Sequence, residues 1–277
     1  MGIVIVVIVV LAFVGLIVYG IISKRKREQA MAALAAKNGW TALGNDEVTL
    51  SGYLPEFVRM LGQQGYGFGS FNRNTVSYDM AYQATAGSHK AVFFQYQYTE
   101  YRRSADPNTP DTSTTYTFTV LNLAMPVAEP TILLLHHSFL SKLANFGLHH
   151  GLQKLSLEGD FNDTYDTYIQ PNDQVNALSL LTPDVMEDVE ALAGTKAQAS
   201  LQIGGQSVII SFENQMLTPE FIEPLMAQVA TLLAKLDAKP RAILEAKAPG
   251  QPAAPASSPA VVTPTIVAPT GTPTHTP

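Results

Sequence analysis

Val76-Ser77-Tyr78-Asp79-Met80-Ala81-Tyr82 alternates large apolar side chains with small or polar ones. A period of two marks a strand with one buried face. The pattern returns in Val92-Phe93-Phe94-Gln95-Tyr96-Gln97-Tyr98, where Val92, Phe94, Tyr96 and Tyr98 fall on one side. Tyr116, Phe118 and Val120 repeat it after a polar loop from Arg102 to Thr114. Three such runs predict an antiparallel meander with one dry face. Thr131 to Leu135 adds a shorter, fully apolar strand, and Phe139, Leu143 and Phe146 sit at helical spacing beyond it. On the N-terminal side of the meander, Pro55 to Leu61 reads as a short helix.

Toward the C-terminus, Leu155 to Ile169 reads as two strands broken near Gly159-Asp160. Leu181-Thr182-Pro183-Asp184 then opens a helix ending at Gly194. Thr182 is suited to the N-cap, Pro183 to the first helical position, and Asp184 to the positive end of the helix dipole. Leu201 to Phe212 predicts a hairpin turning on Gly204-Gly205. Leu217-Thr218-Pro219-Glu220 repeats the helix start, with Phe221, Leu225, Val229, Leu232 and Leu236 as its buried stripe. Both helices are expected on one face of the C-terminal strands.

Ile3 to Ile22 carries no charge and consists mostly of Ile, Val and Leu. As a helix it would be about 30 Å long, the thickness of a bilayer's hydrocarbon core. Nothing basic precedes it, and Ser23-Lys24-Arg25 follows it where a signal peptide would have a small-residue cleavage site. The expectation is an uncleaved anchor with the bilayer as partner through residues 3–22. Lys24, Arg25, Lys26 and Arg27 are its basic membrane flank. They place the N-terminus outside and the folded part in the cytoplasm of a single-pass protein of the cell membrane. Glu28 to Lys37 is Ala-rich and continues the helix to Asn38-Gly39. From Ala248 to Pro277 there are eight prolines, which deny backbone donors to helix and sheet and predict a disordered tail.

The expected fold class is thus α+β: an N-terminal transmembrane helix followed by antiparallel β-meanders, with helices packed on one face. The expected divisions are an anchor over 1–23, a basic juxtamembrane helix over 24–38, a β-rich half over 39–150, an α+β half over 151–240, and a Pro/Thr/Ala-rich tail over 241–277.

Composition narrows the function. There are no cysteines, so disulfides, thiolate metal sites and cysteine nucleophiles are excluded. The net charge is −6, and since the four consecutive bases supply +4, the rest sums to −10. An acidic surface is unsuited to phosphate backbones, which argues against nucleic acid as a partner. Gly62-Gln63-Gln64-Gly65-Tyr66-Gly67-Phe68-Gly69-Ser70 is glycine-dense, but it follows a predicted helix and precedes a strand. That is the reverse of a phosphate loop, and a turn into the sheet is the reading. No Gly-x-Ser-x-Gly elbow is present.

Two histidine pairs, His136-His137 and His149-His150, could meet if strand and helix fold back on each other. His137 and His149 would then offer imidazoles to a divalent metal, with Asp160, Asp163 and Asp166 adding oxygens. Neighbouring histidines on a strand point to opposite faces, and solvated element ends are the plain alternative. The same aspartates would serve a carboxylate acid/base site only inside a desolvated pocket. Tyr78, Tyr82, Tyr96, Tyr98 and Tyr101 could line a ligand face, although packing is the ordinary use of aromatics at strand spacing.

Phe161-Asn162-Asp163-Thr164-Tyr165, Asp173-Gln174-Val175-Asn176-Ala177, Leu180-Leu181-Thr182-Pro183-Asp184-Val185-Met186-Glu187 and Ser211-Phe212-Glu213-Asn214 resemble a family of bacterial membrane-anchored proteins of unknown function. The likeness lies mainly over residues 155–215. It implies a fold and a membrane address, and it carries over no catalytic residue. The sequence thus points to a binding domain that engages an unidentified protein partner, with no cofactor and no catalytic residue. The alternatives are a metal-dependent or carboxylate hydrolase using His137, His149 and the Asp160–Asp166 cluster, and an outward-facing envelope domain on a Pro/Thr stalk.

Overall fold

In a computed structural model, the described residues are 2–55, 75–102, 104, 108, 110–137, 151–157, 159–193 and 198–239. Residues 1–240 form one unit and 241–277 a second. The predicted helix at 55–61, the glycine-dense stretch, the helix begun by Phe139, the pair His149-His150 and the tail over 241–277 lie outside the described residues, apart from Pro55.

The elements run α1 (Gly2–Asn38), β1 (Thr41–Ala42), α2 (Glu47–Ser51), β2 (Thr75–Ala86), β3 (His89–Arg102), β4 (Thr112–His136) and β5 (Gln153–Leu155). They continue with α3 (Phe161–Thr164), β6 (Tyr165–Ile169), α4 (Gln174–Leu180), α5 (Pro183–Ala193), β7 (Gln198–Glu213) and α6 (Pro219–Ala238). Local chemistry accounts for several boundaries. Gly39, at φ +69, follows the last residue of α1. The Asp46 side chain accepts from the Thr49 amide at 2.9 Å and caps α2. Pro183 and Pro219 open α5 and α6, where an amide hydrogen would have had no partner. The α6 stripe buries Ile222, Leu225, Met226, Val229, Leu232, Leu233 and Leu236. Phe221 packs at its edge, its ring 5.1 Å from that of Phe212.

The seven strands form one antiparallel sheet in the order β1-β2-β3-β4-β6-β5, with β7 also paired to β4. Within β7, the Ser211 hydroxyl donates to the Ser200 carbonyl at 3.5 Å, across a separation of 11 residues. A straight strand would hold such residues about 36 Å apart. β7 therefore doubles back, and the turn lies at Gly204-Gly205, where Gly205 has φ +55 and Ser207 donates to the Gly204 carbonyl. The expected hairpin is found inside the single element β7.

The same fold-back explains β4. Leu121 pairs with Ile210 and Leu134 with Leu201, so the two halves of β4 flank the hairpin on opposite sides. The register breaks between Ala124 and Ile132, where the chain passes the hairpin tip and Pro126 and Pro130 donate no backbone hydrogen bond. The expected strands at 116–120 and 131–135 are thus two arms of one element.

The expectation of one dry face is corrected. Both faces of the meander are buried, each by its own cluster. Met31, Leu34 and Ala35 of α1, together with α5 and α6, share one cluster with Phe93, Leu121, Ile210 and Leu134. Leu50 and Leu54 share the other with Phe94, Tyr96, Tyr98, Phe118 and Tyr168. A bulge in β2 hides the change of side. The register slips between Asp79 and Tyr82, and Met80 takes φ +49. Val76 and Tyr78 consequently belong to the tyrosine-rich face, while Met80 and Tyr82 belong to the helix-covered one. The unbroken alternation from Val76 to Tyr82 therefore spans two faces.

Candidate functional site

The feature that sets this molecule apart is the outer half of α1. Leu11, Phe13, Leu16 and Tyr19 are 65–71% exposed, and Val10, Val14, Ile17, Val18, Ile21 and Ile22 are exposed beside them. The apolar side chains point all round the helix rather than along one stripe. Three turns later Met31 is fully buried, so α1 is half arm and half core element. Side-chain contacts pin the transition. Lys24 reaches Asp79 at 2.9 Å and Glu28 at 3.5 Å. Arg27 Nη1 donates to the Met216 sulfur at 2.8 Å, and Lys37 meets Glu223 at 2.9 Å. The hydrogen bond to Asp79 is the largest reason that the Lys24 ammonium titrates above its ordinary range. Of the four basic residues read as a membrane flank, Lys24 and Arg27 thus fasten α1 to the domain, and Arg25 and Lys26 are exposed.

Among the described residues, no helix is long and apolar enough to cross a membrane. This overturns the transmembrane helix of the expected fold and the single-pass cell-membrane localisation with its N-out orientation.

The predicted polar residues come together only in part. The Asp166 carboxylate meets Lys154 at 2.5 Å and His137 Nε2 at 3.5 Å. Its hydrogen bond is the main cause raising the Lys154 ammonium. Asp160 precedes α3, its carbonyl accepting from the Asp163 amide. Among the described residues, no three His, Asp or Glu side chains gather as metal ligands. His136 turns to the other side, its ring edge-on to Tyr165 at 5.6 Å. Burial, and then the neighbouring His137, lower its pKa. On the tyrosine-rich face, burial and then the Glu47 charge push the Tyr78 phenol up to about 12. Tyr78, Tyr96, Phe118, Tyr98 and Tyr116 pair ring to ring across β2, β3 and β4, with centroids 5.4–6.0 Å apart.

One buried polar constellation was not anticipated. His89 is 4% exposed at the turn between β2 and β3. Its Nδ1 lies 3.0 Å from the Ala124 carbonyl and its Nε2 2.8 Å from Asp237 Oδ2 on α6. A carbonyl can only accept, so Nδ1 carries a proton and donates. The pair borders a surface pocket of about 400 Å³ lined also by Gly87, Ser88, Ala230, Ala234 and Ala238. Small residues let the turn approach the helix. A side chain on Gly87, at φ +60, would meet Ala230 at 3.7 Å. The sequence does hold a signal for this residue: His89 shares the parity of Ala91 and Phe93, which face the helices.

No protein-family model and no curated protein matches the chain. Among solved structures it is similar to the crystal structure of the mycobacterial trehalose monomycolate transport factor A, TtfA. The identity is 13% and the TM-score 0.47, over 76% of this chain and 97% of that chain. Likeness at that level does not carry function across.

Proposed function

We propose that this chain is a non-catalytic binding protein that engages an apolar partner, lipid or protein, through the arm of α1 between Val10 and Ile22. The observation that carries the reading is the exposure of ten large apolar side chains on that one segment. Scattered surface hydrophobics need no explanation, but a contiguous apolar patch of this extent marks an interaction site. A helix that is apolar on every side calls for surroundings that cover it. Among the described polar candidates, Asp166 is paired with Lys154 and His137, and His89 with Ala124 and Asp237.

A photo-crosslinking residue at Leu16 or Tyr19 of the full chain, compared with one at exposed Glu187, tests this in cells. Arm positions are expected to give abundant adducts, whose mass identifies lipid or protein. Arm yields no higher than at Glu187 would sink the reading.

A further inference from the structure

Asp79 stands where the arm meets the sheet, and each of its carboxylate oxygens has a different task. Oδ1 accepts from the Met80 amide at 3.0 Å, and Oδ2 meets the Lys24 ammonium at 2.9 Å. Met80 is the residue whose left-handed backbone, φ +49, makes the β2 bulge. Such a conformation is uncommon for a side chain like methionine and persists where its surroundings hold it. The bulge is gripped from its other side as well. The Leu43 amide donates to the Ala81 carbonyl at 2.8 Å, and β1 pairs with Tyr82 and Gln83. The middle of α1 and the segment that leaves it thus converge on one stretch of β2, from Asp79 to Gln83.

We infer that Asp79 is a coupling residue, through which displacement of the apolar arm of α1 is transmitted to the β2 bulge. With Lys24 in place, one carboxylate fixes both the direction in which the arm leaves the domain and the turn that sets which side chains of β2 face the tyrosines. When a partner draws the arm aside, the Asp79 carboxylate is released to move, and the Met80 amide loses its fixed acceptor. Coupling of this kind is reciprocal, so a loosened bulge also widens the range of arm directions. The inference rests on the proposed binding role only for the use made of the arm. Its test needs no partner, so failure here and failure of the crosslinking are distinguishable.

The test uses the full chain with Lys24→Met, and with Asp79→Asn as a second variant. Exchange of the Met80 and Leu43 amides is followed by NMR, with Val229 in α6 as reference. Because the chain has no cysteine, Leu16→Cys with Glu187→Cys gives a unique spin-label pair for arm-to-domain distances. Lys24→Met is expected to broaden that distance distribution and to speed Met80 and Leu43 exchange by up to about fivefold, the limit for an exposed ion pair. Val229 should be unaffected. Asp79→Asn keeps an acceptor oxygen but no charge, so it should broaden the distances while leaving the Met80 amide more protected than Lys24→Met does. Unchanged exchange and distances in Lys24→Met, or acceleration that includes Val229 equally, would overturn the inference.

Discussion

Replacing Phe93 with alanine separates a meander wet on one side from a sheet buried on both. If only Val92, Phe94, Tyr96 and Tyr98 faced the interior, Phe93 would point to water and its loss would cost less than about 0.5 kcal/mol. In the structure Phe93 is fully buried, its ring 5.0 Å from Trp40 edge-on and 5.5 Å from Tyr82 in a stack. Burying a phenylalanine contributes about 1.5–3 kcal/mol. The two ring contacts add about 0.5–1.5 kcal/mol each, and the cavity left by truncation is only partly refilled. The expected loss is about 3–5 kcal/mol, similar to that for Phe94→Ala on the opposite face. Urea unfolding followed by circular dichroism reads it as a lower midpoint with an unchanged slope. A Phe93→Ala protein within about 1 kcal/mol of the parent would refute the two-faced core, whatever Phe94→Ala does.

Two further outcomes follow from the polar groups. His136 has a folded pKa below its ordinary 6.5, chiefly through burial, so the unfolded chain binds its proton more tightly. Its contribution is complete above about pH 6.5 and is lost as pH falls from there through the depressed value. The stability difference between parent and His136→Phe should therefore change between pH 7.5 and 5.5 in that sense, and parallel curves would contradict it. His89→Ala should cost about 1.5–3 kcal/mol, because it strands the Ala124 carbonyl and takes a partner from Asp237. Asp237→Ala should cost less, since that side chain is 32% exposed and screened. A double-mutant cycle in which the two losses simply add would exclude the pair as a stabilising contact.

What could be read in advance was what short segments decide alone. Thr182-Pro183 and Thr218-Pro219 begin helices because a proline at the first position needs no hydrogen-bond acceptor, and Gly204-Gly205 turns a hairpin because glycine tolerates φ > 0. The reading failed where a single residue changed the phase. Between Val76 and Tyr82 the alternation is unbroken, yet Met80 in a left-handed conformation transfers the later residues to the other face. Nothing in the alternation marks Met80, and the contact beside it depends on Lys24, 55 residues earlier in α1, reaching Asp79. Phe93 was hidden for a related reason. A strand buried on both sides reads as a strand buried on one when its second set of inward residues includes polar ones such as Gln95, whose amide oxygen accepts from the Leu217 amide.

The candidate site follows the same division. The apolar run of α1 is visible in the residues themselves, but its relation to the domain depends on Lys24, Arg27 and Lys37 finding Asp79, Met216 and Glu223 far along the chain. Basic residues after an apolar helix look alike whether they meet solvent, headgroups or a carboxylate of the same protein; only the fold distinguishes these cases. His89 and Asp237 are farther apart still, 148 positions, and no spacing rule joins them. Their meeting needs α6 to lie across the β2–β3 turn, where Gly87, at φ +60, sits beside Ala230. Each polar contact is thus a consequence of packing already in place. The arm stands out because its side chains, alone among the described large apolar groups of α1, have no such packing to explain them.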